Sequence, residues 1–83
     1  MIREHWTVYG TMVFKLRKCA VTSLIAADYL SEEDAVSSLL TMRLHQDCSS
    51  MNAVIVHEAR EGNKWANPKV VYRSEPGAKA WFE

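Results

Sequence analysis

Four side chains in the sequence are of the types that bind zinc, namely Cys19, His45, Cys48 and His57. A tetrahedral zinc site needs four such ligands held close together. Only His45 and Cys48 are compactly spaced, and a single close pair is weak evidence for a metal. We interpret Cys19 as a small core residue and the other three as surface or loop residues. The sequence therefore predicts no metal and no cofactor.

The residues that could catalyse a reaction do not form a convincing set either. Cys48, Ser49 and Ser50 lie near His45, but nucleophilic catalysis also needs a group that orients the base. The acidic run Glu32–Asp34 has the position of a helix start, where carboxylates are solvated. A chain of 83 residues also leaves little room for a pocket of several hundred Å³. We expect that the protein is not an enzyme.

Basic and aromatic residues alternate in the last third of the chain. Aromatic rings with cations on a sheet are typical of proteins that stack nucleic-acid bases. Tyr, Trp and Arg also dominate the hot spots of protein interfaces. Acidic residues lie among these cations, which argues against nucleic acid and also suits core aromatics with solvated charges at the sheet edges. The small size, the lack of catalytic motifs and the many aromatic residues favour a protein interface. The residues that we predict to contact a partner are Lys64, Trp65, Lys69, Arg73 and Lys79.

Composition and charge set the broad class of the protein. Hydrophobic residues make up 48% and charged residues 24% of the chain, which are ordinary values for one globular domain, residues 1–83. Ten basic and ten acidic residues cancel, so there is no overall attraction to nucleic acid or to an anionic membrane. No signal peptide or membrane-spanning segment is recognised, and two cysteines are too few for a disulfide scaffold. We predict a cytoplasmic protein with reduced thiols.

Two strands are predicted in the first third of the chain. Trp6, Val8, Met12, Phe14 and Leu16 fall on alternate positions, with Gly10 among them, and indicate a half-buried strand from about His5 to Leu16. Gly10 in its interior suggests a bulge or a close approach of the backbone. Cys19–Ala27 is again rich in strand-forming residues. The short separation predicts a hairpin.

A helix is predicted to follow directly. Ser31 is a preferred N-cap, and the three acidic residues after it suit the positive end of the helix dipole. Val36, Leu39, Leu40 and Leu44 recur at helical spacing and are expected to form the buried face. The helix should end near Gln46.

Two further strands and a packed tail complete the prediction. The third strand runs from Met51 to about Arg60, and Gly62-Asn63 is a candidate turn. Because proline lacks an N–H group, Pro68 places the start of the fourth strand at Lys69. The apolar pair Trp81-Phe82 should pack on the sheet or on a neighbouring molecule.

The predicted fold is α+β, with the order β-β-α-β-β. An antiparallel sheet of four to five strands carries one helix on one face. The other face is expected to be free. A free face, or an exposed strand edge, would suit a partner or a second copy of the chain.

The layout resembles that of a known family of small phage proteins. The residues that carry the resemblance are Ala26-Ala27, Ser31-Glu32-Glu33-Asp34-Ala35 and the terminal pattern Gly77-x-Lys79-x-Trp81. From Ile25 to Trp81 the chain is similar in layout to some small anti-CRISPR proteins. The resemblance implies a stoichiometric inhibitor of phage or mobile-element origin that occupies a surface of a host nucleoprotein complex.

Two functions from different classes remain open at this point. The first is a non-enzymatic binding or inhibitor protein that docks on a host protein or nucleoprotein complex, with no membrane partner and with a homodimer possible. The second is a small module that binds single-stranded nucleic acid.

Overall fold

The computed structural model describes residues 3–83 and has the predicted α+β order of elements. Their bounds are β1 Arg3–Leu16, β2 Cys19–Tyr29, α1 Glu32–Arg43, β3 Cys48–Glu61 and β4 Lys64–Arg73. The strands form one antiparallel sheet in the spatial order β2-β1-β3-β4. β1 and β3 are therefore central, while β2 and β4 form the two edges.

The β1–β2 hairpin confirms the period-two alternation. Its pairing runs without interruption from Leu16 opposite Cys19 to Trp6 opposite Tyr29. Even-numbered β1 side chains such as Val8 and Met12 are buried beneath the helix. The structure corrects one expectation here, because Cys19 follows the turn directly and is exposed rather than in the core.

Gly10 permits a close approach between the two central strands. It pairs with Ala53 of β3 and has a φ of +152°, which L side chains rarely adopt. A Cβ atom at this position would lie 2.1 Å from the carbonyl oxygen of Asn52 and 2.5 Å from the Ala53 Cα. Of the two predicted reasons for this glycine, the close approach is confirmed.

The helix begins where the sequence predicts. The Ser31 side chain accepts a hydrogen bond from the Asp34 N–H at 3.1 Å, and the helix ends at its C-cap, Leu44. Ala35 and Leu39 are its buried residues. Together with Ile55 of β3, they form the main core on this face of the sheet.

The predicted buried face of the helix is too wide. Leu40 is 42% exposed and Leu44 is 84% exposed. They lie about 100° and 140° around the helix axis from Leu39. A helix on a sheet buries only the arc that faces the strands, so these two leucines point outward.

Pro68 does not exclude a strand, which corrects the predicted start of β4. The strand begins at Lys64 and continues through Asn67, which has a φ of 55°, and Pro68. Two shifts in register along the β3–β4 pairing absorb the irregularity. An edge strand tolerates proline because only one side of it has to form ladder hydrogen bonds.

The C-terminal tail covers part of the face opposite the helix. Ala78 and Ala80 are buried against Val54 and Val56 of β3. Trp81 packs edge-on against Tyr9 of β1, with the ring centroids 5.1 Å apart. The expectation that the tail packs on the sheet is confirmed. The face opposite the helix is expected to be free. It is free only on the β2 side, because the tail covers it at β3.

An ion pair fastens this tail to the end of β4. The Arg73 guanidinium donates to Glu83 at 2.8 and 2.6 Å and also to the carbonyl oxygen of Ala78. The Ala80 N–H donates to the same carboxylate at 2.9 Å. These hydrogen bonds, led by that from Arg73, lower the pKa of Glu83 to about 2. Glu83 in turn raises the pKa of Arg73.

We predict that Gly10→Ala destabilises the fold by about 3 kcal/mol or more, because backbone atoms must move and the positive φ is strained. The matched control is Gly77→Ala, where an added Cβ meets no atom within 4 Å. Urea denaturation measures both variants. Equal stability of the two would contradict the close approach at Gly10.

We predict that the ion pair between Arg73 and Glu83, which fastens the tail, weakens in acid. The folded-state pKa of Glu83, about 2, lies below the ordinary value of 4.5. Its stabilising contribution is therefore complete above the ordinary value and is lost as the pH falls towards 2. The free energy of unfolding should fall less steeply over this range in Glu83→Gln than in the native chain. Glu61→Gln removes an exposed carboxylate that has no ion pair within residues 3–83, and it should keep the native slope. If the unfolding free energy depended on pH identically in the native and Glu83→Gln proteins, the ion pair between Arg73 and Glu83 would not form.

Candidate partner-binding site

The five residues predicted to contact a partner do not form one patch. Lys64 and Arg73 are the first and last residues of β4, so about 30 Å separates them at the rise of a strand. Lys69 lies opposite His57 in the pairing with β3, and Lys79 is exposed in the tail. Arg73 is held by Glu83 and serves to fasten the tail. Trp65 remains as the centre of a candidate site.

Trp65 is held rigidly but stays accessible. Its ring stacks on the His5 imidazole with 3.8 Å between centroids and 4° between planes. The Arg60 guanidinium lies 5.7 Å from the ring centroid, within range of a cation–π contact. The side chain is nevertheless 42% exposed. A fixed and half-exposed indole offers contact area to a partner at a low entropic cost.

Two carboxylates orient the imidazole beneath the indole. The His5 Nε2 atom is 3.2 Å from a Glu58 oxygen, and its Nδ1 atom is 3.7 Å from an Asp28 oxygen. The Thr7 hydroxyl donates to the same Asp28 oxygen at 2.6 Å. Because the carboxylates approach opposite nitrogens of the ring, they position His5 rather than form a ligand cluster. His5, Asp28 and Glu58 come from three neighbouring strands.

Two arginines flank the stack on its outer side. Arg3 of β1 and Arg60 of β3 are direct cross-strand partners, an arrangement that is unfavourable for like charges. Within residues 3–83 neither has a carboxylate within 4 Å. Both line a cleft of about 440 Å³ with Gly62 and Asn63.

The same two arginines also line a second, more apolar cleft. It has a volume of about 370 Å³ and includes His5, Trp65 and Leu30, which is 86% exposed. We call the surface formed by Arg3, His5, Leu30, Arg60 and Trp65 the Trp65 site. It combines an indole, an exposed leucine and two guanidinium groups that lack acidic partners.

The opposite face of the sheet carries a related arrangement at the same end. Trp6 stacks on His57 with 4.7 Å between ring centroids, and His57 Nε2 is 3.1 Å from a Glu4 oxygen. The Trp6–His57 pair follows from the β1–β3 register, which sets these two residues opposite each other, whereas the His5–Trp65 pair also needs the β3–β4 register, which sets Trp65 opposite Arg60. Sequence reasoning missed them. The only local signal is the adjacent pair His5-Trp6 in an alternating strand.

The residues considered for zinc are not brought together. His45 lies in the loop before β3 and Cys48 is the first residue of β3, where its N–H donates to the His45 carbonyl. Cys19 lies at the start of β2, and His57 pairs with Trp6 towards the other end of β3. Among the residues that the structure describes, no three His, Cys, Asp or Glu side chains form a cluster suited to a metal ion.

Residues 3–83 contain no helix with the length and apolar character needed to cross a bilayer.

Comparison with known proteins adds no relative to this description. No protein-family model, no curated protein and no solved structure matches the chain. The resemblance to anti-CRISPR proteins and the origin that it implies therefore stay predictions.

Proposed function

We propose that the chain is a non-enzymatic binding module that docks on a protein partner through the Trp65 site. The observation that carries the proposal is the half-exposed indole fixed on His5 beside two arginines that have no acidic partner in residues 3–83. Tryptophan and arginine are the residues most often found at the centres of protein interfaces.

The chemistry of the Trp65 site suggests the kind of segment it would bind. Leu30 and Trp65 offer apolar contacts, and Arg3 and Arg60 offer planar donors that match carboxylates. A partner segment with alternating acidic and apolar side chains would satisfy both. Single-stranded nucleic acid would also find an aromatic ring and cations here, but the exposed Leu30 offers it neither charge nor a hydrogen bond and suits an apolar side chain instead. The geometry therefore favours a protein partner.

The phage-borne inhibitor predicted above fits within this proposal. Such a protein needs an exposed recognition surface and no catalytic group. The docking of the Trp65 site on a host protein or nucleoprotein complex would meet that need. An activity against CRISPR complexes and a cytoplasmic location stay predictions.

The proposal is tested with two dye-labelled probes in fluorescence polarisation. One is a peptide of alternating glutamate and leucine, and the other is a single-stranded thymidine oligonucleotide. We predict that the peptide binds and that Trp65→Ala or Arg60→Gln weakens binding about tenfold or more, the loss typical of a hot spot. Arg17→Gln, which removes an exposed cation at the β1–β2 turn, should bind like the native chain.

Each other outcome contradicts part of the proposal. Binding of the oligonucleotide alone, with a steep dependence on salt, would favour the nucleic-acid module instead. Equal effects of Arg17→Gln and Arg60→Gln would mean that overall charge, not the Trp65 site, holds the peptide. Circular dichroism melting of each variant separates lost binding from lost folding. Absence of binding by either probe to the folded native chain would remove the assignment of the site.

A further inference from the structure

The two edges of the sheet differ in how well they are protected against pairing with another strand. Natural edge strands usually carry charges, proline or irregular backbone, which prevent association. β4 has all three in Lys64, Lys69, Pro68 and the irregular Asn67. β2 has none of them from Cys19 to Ala27, a run without charge or proline whose pairing with β1 is unbroken. β2 is thus an open edge.

The backbone of β2 presents a regular row of hydrogen-bonding groups at this edge. Leu16 and Cys19 flank a two-residue turn and pair directly, so the odd-numbered residues of β2 bond to β1. Since hydrogen-bonded pairs alternate along an antiparallel ladder, the even-numbered residues point their N–H and C=O groups outward. The outward row consists of Ala20, Thr22, Leu24 and Ala26.

Apolar surface accompanies this row. Leu24 lies at the middle of β2 and is 73% exposed, and Val21 is also exposed. An apolar cleft of about 310 Å³ runs beside the strand and is lined by Phe14, Ile25 and Met42, among others. A strand added at this edge would cover the cleft and the exposed leucine.

The charges at the two ends of β2 indicate which strand would be added at this edge. The end of β1 and the turn before β2 are basic, with Lys15 in the strand, Arg17 and Lys18 in the turn, and no acidic residue nearby in sequence. The opposite end is acidic, with Asp28 followed by the first turn of α1, Glu32–Asp34. If a second copy pairs antiparallel to this β2, its basic end lies against the acidic end of the first copy. Its acidic end lies against the basic end of the first copy in the same way.

We propose that two copies of the chain pair through β2 in antiparallel orientation about a two-fold axis at Leu24. The outward-pointing residues then face one another as hydrogen-bonded pairs, and the two Leu24 side chains meet. The product is a continuous eight-stranded sheet, twice the four strands of one chain. The interface is self-complementary and closes after two copies, as a two-fold contact must. Of the Trp65 site, only Leu30, which directly follows β2, lies at the end of this interface.

Sedimentation velocity of the full chain at micromolar concentration tests the proposal. The native chain is expected to be a dimer that weakens as the salt concentration rises. Leu24→Lys places two ammonium groups at the axis and should weaken association about tenfold or more. Because this side chain is largely exposed, the melting temperature of the monomer should change little. Leu44→Lys, at a residue exposed on the helix, is the matched control and should remain dimeric.

A pair of charge reversals tests the antiparallel orientation. Arg17→Glu with Lys18→Glu gives a chain that is acidic at both ends of β2. Glu32→Lys with Glu33→Lys gives one that is basic at both ends. Each double variant should self-associate more weakly than the native chain, and a mixture of the two should form a heterodimer. Failure of the mixture to associate more strongly than its components would overturn the orientation.

The remaining outcomes also decide the question. A native chain that sediments as a monomer at low salt would overturn the proposal. Loss of the dimer in Leu44→Lys but not in Leu24→Lys would place the interface on the outward leucines of α1 instead. Neither result bears on the peptide assay, so failure here is distinct from failure of the Trp65 site.

Discussion

The register between β1 and β3 is the constraint on which the rest of the structure depends. It joins the two central strands, and Gly10 allows their backbones to approach at Ala53. A slip by one residue would move every β1 side chain to the other face of the sheet. The core beneath the helix would then lose Val8 and Met12, and His5 would no longer meet Glu58. Both the core and the position of His5, Arg3 and Arg60 in the Trp65 site depend on this one alignment.

The two faces of the sheet are covered by different means. The helix protects one face with few side chains, of which Ala35 and Leu39 are fully covered. The tail protects part of the other, and the ion pair between Arg73 and Glu83 holds it there. Neither cover reaches the outer side of β2. The surfaces proposed for partners, at Trp65 and along β2, are therefore those that neither the helix nor the tail covers.

Much of the fold could be predicted because its signals are local. Alternation identified the first hairpin, and the Ser31 side chain with the acids after it located the start of the helix. The first residues of β4 were not predicted because proline is excluded from central strands. β4 is an edge strand and tolerates Pro68. The Trp65 site was found only in part, through Trp65 itself. Its other members come from distant segments, and no local sequence pattern predicts the strand pairing that sets His5 opposite Glu58.

The elongated shape has a consequence for motion. The molecule measures 50 × 23 × 21 Å, and its radius of gyration is 13.9 Å. A compact domain of this length would have a radius of about 12 Å. The fully buried side chains cluster in mid-sheet, whereas residues 57–60 of β3 are only half-buried. Amide hydrogen exchange should accordingly be slowest in mid-sheet and faster towards the indole, where the strands can fray without melting the centre. The stacking of Trp65 on His5 and of Trp6 on His57 opposes this fraying and keeps the indole in place.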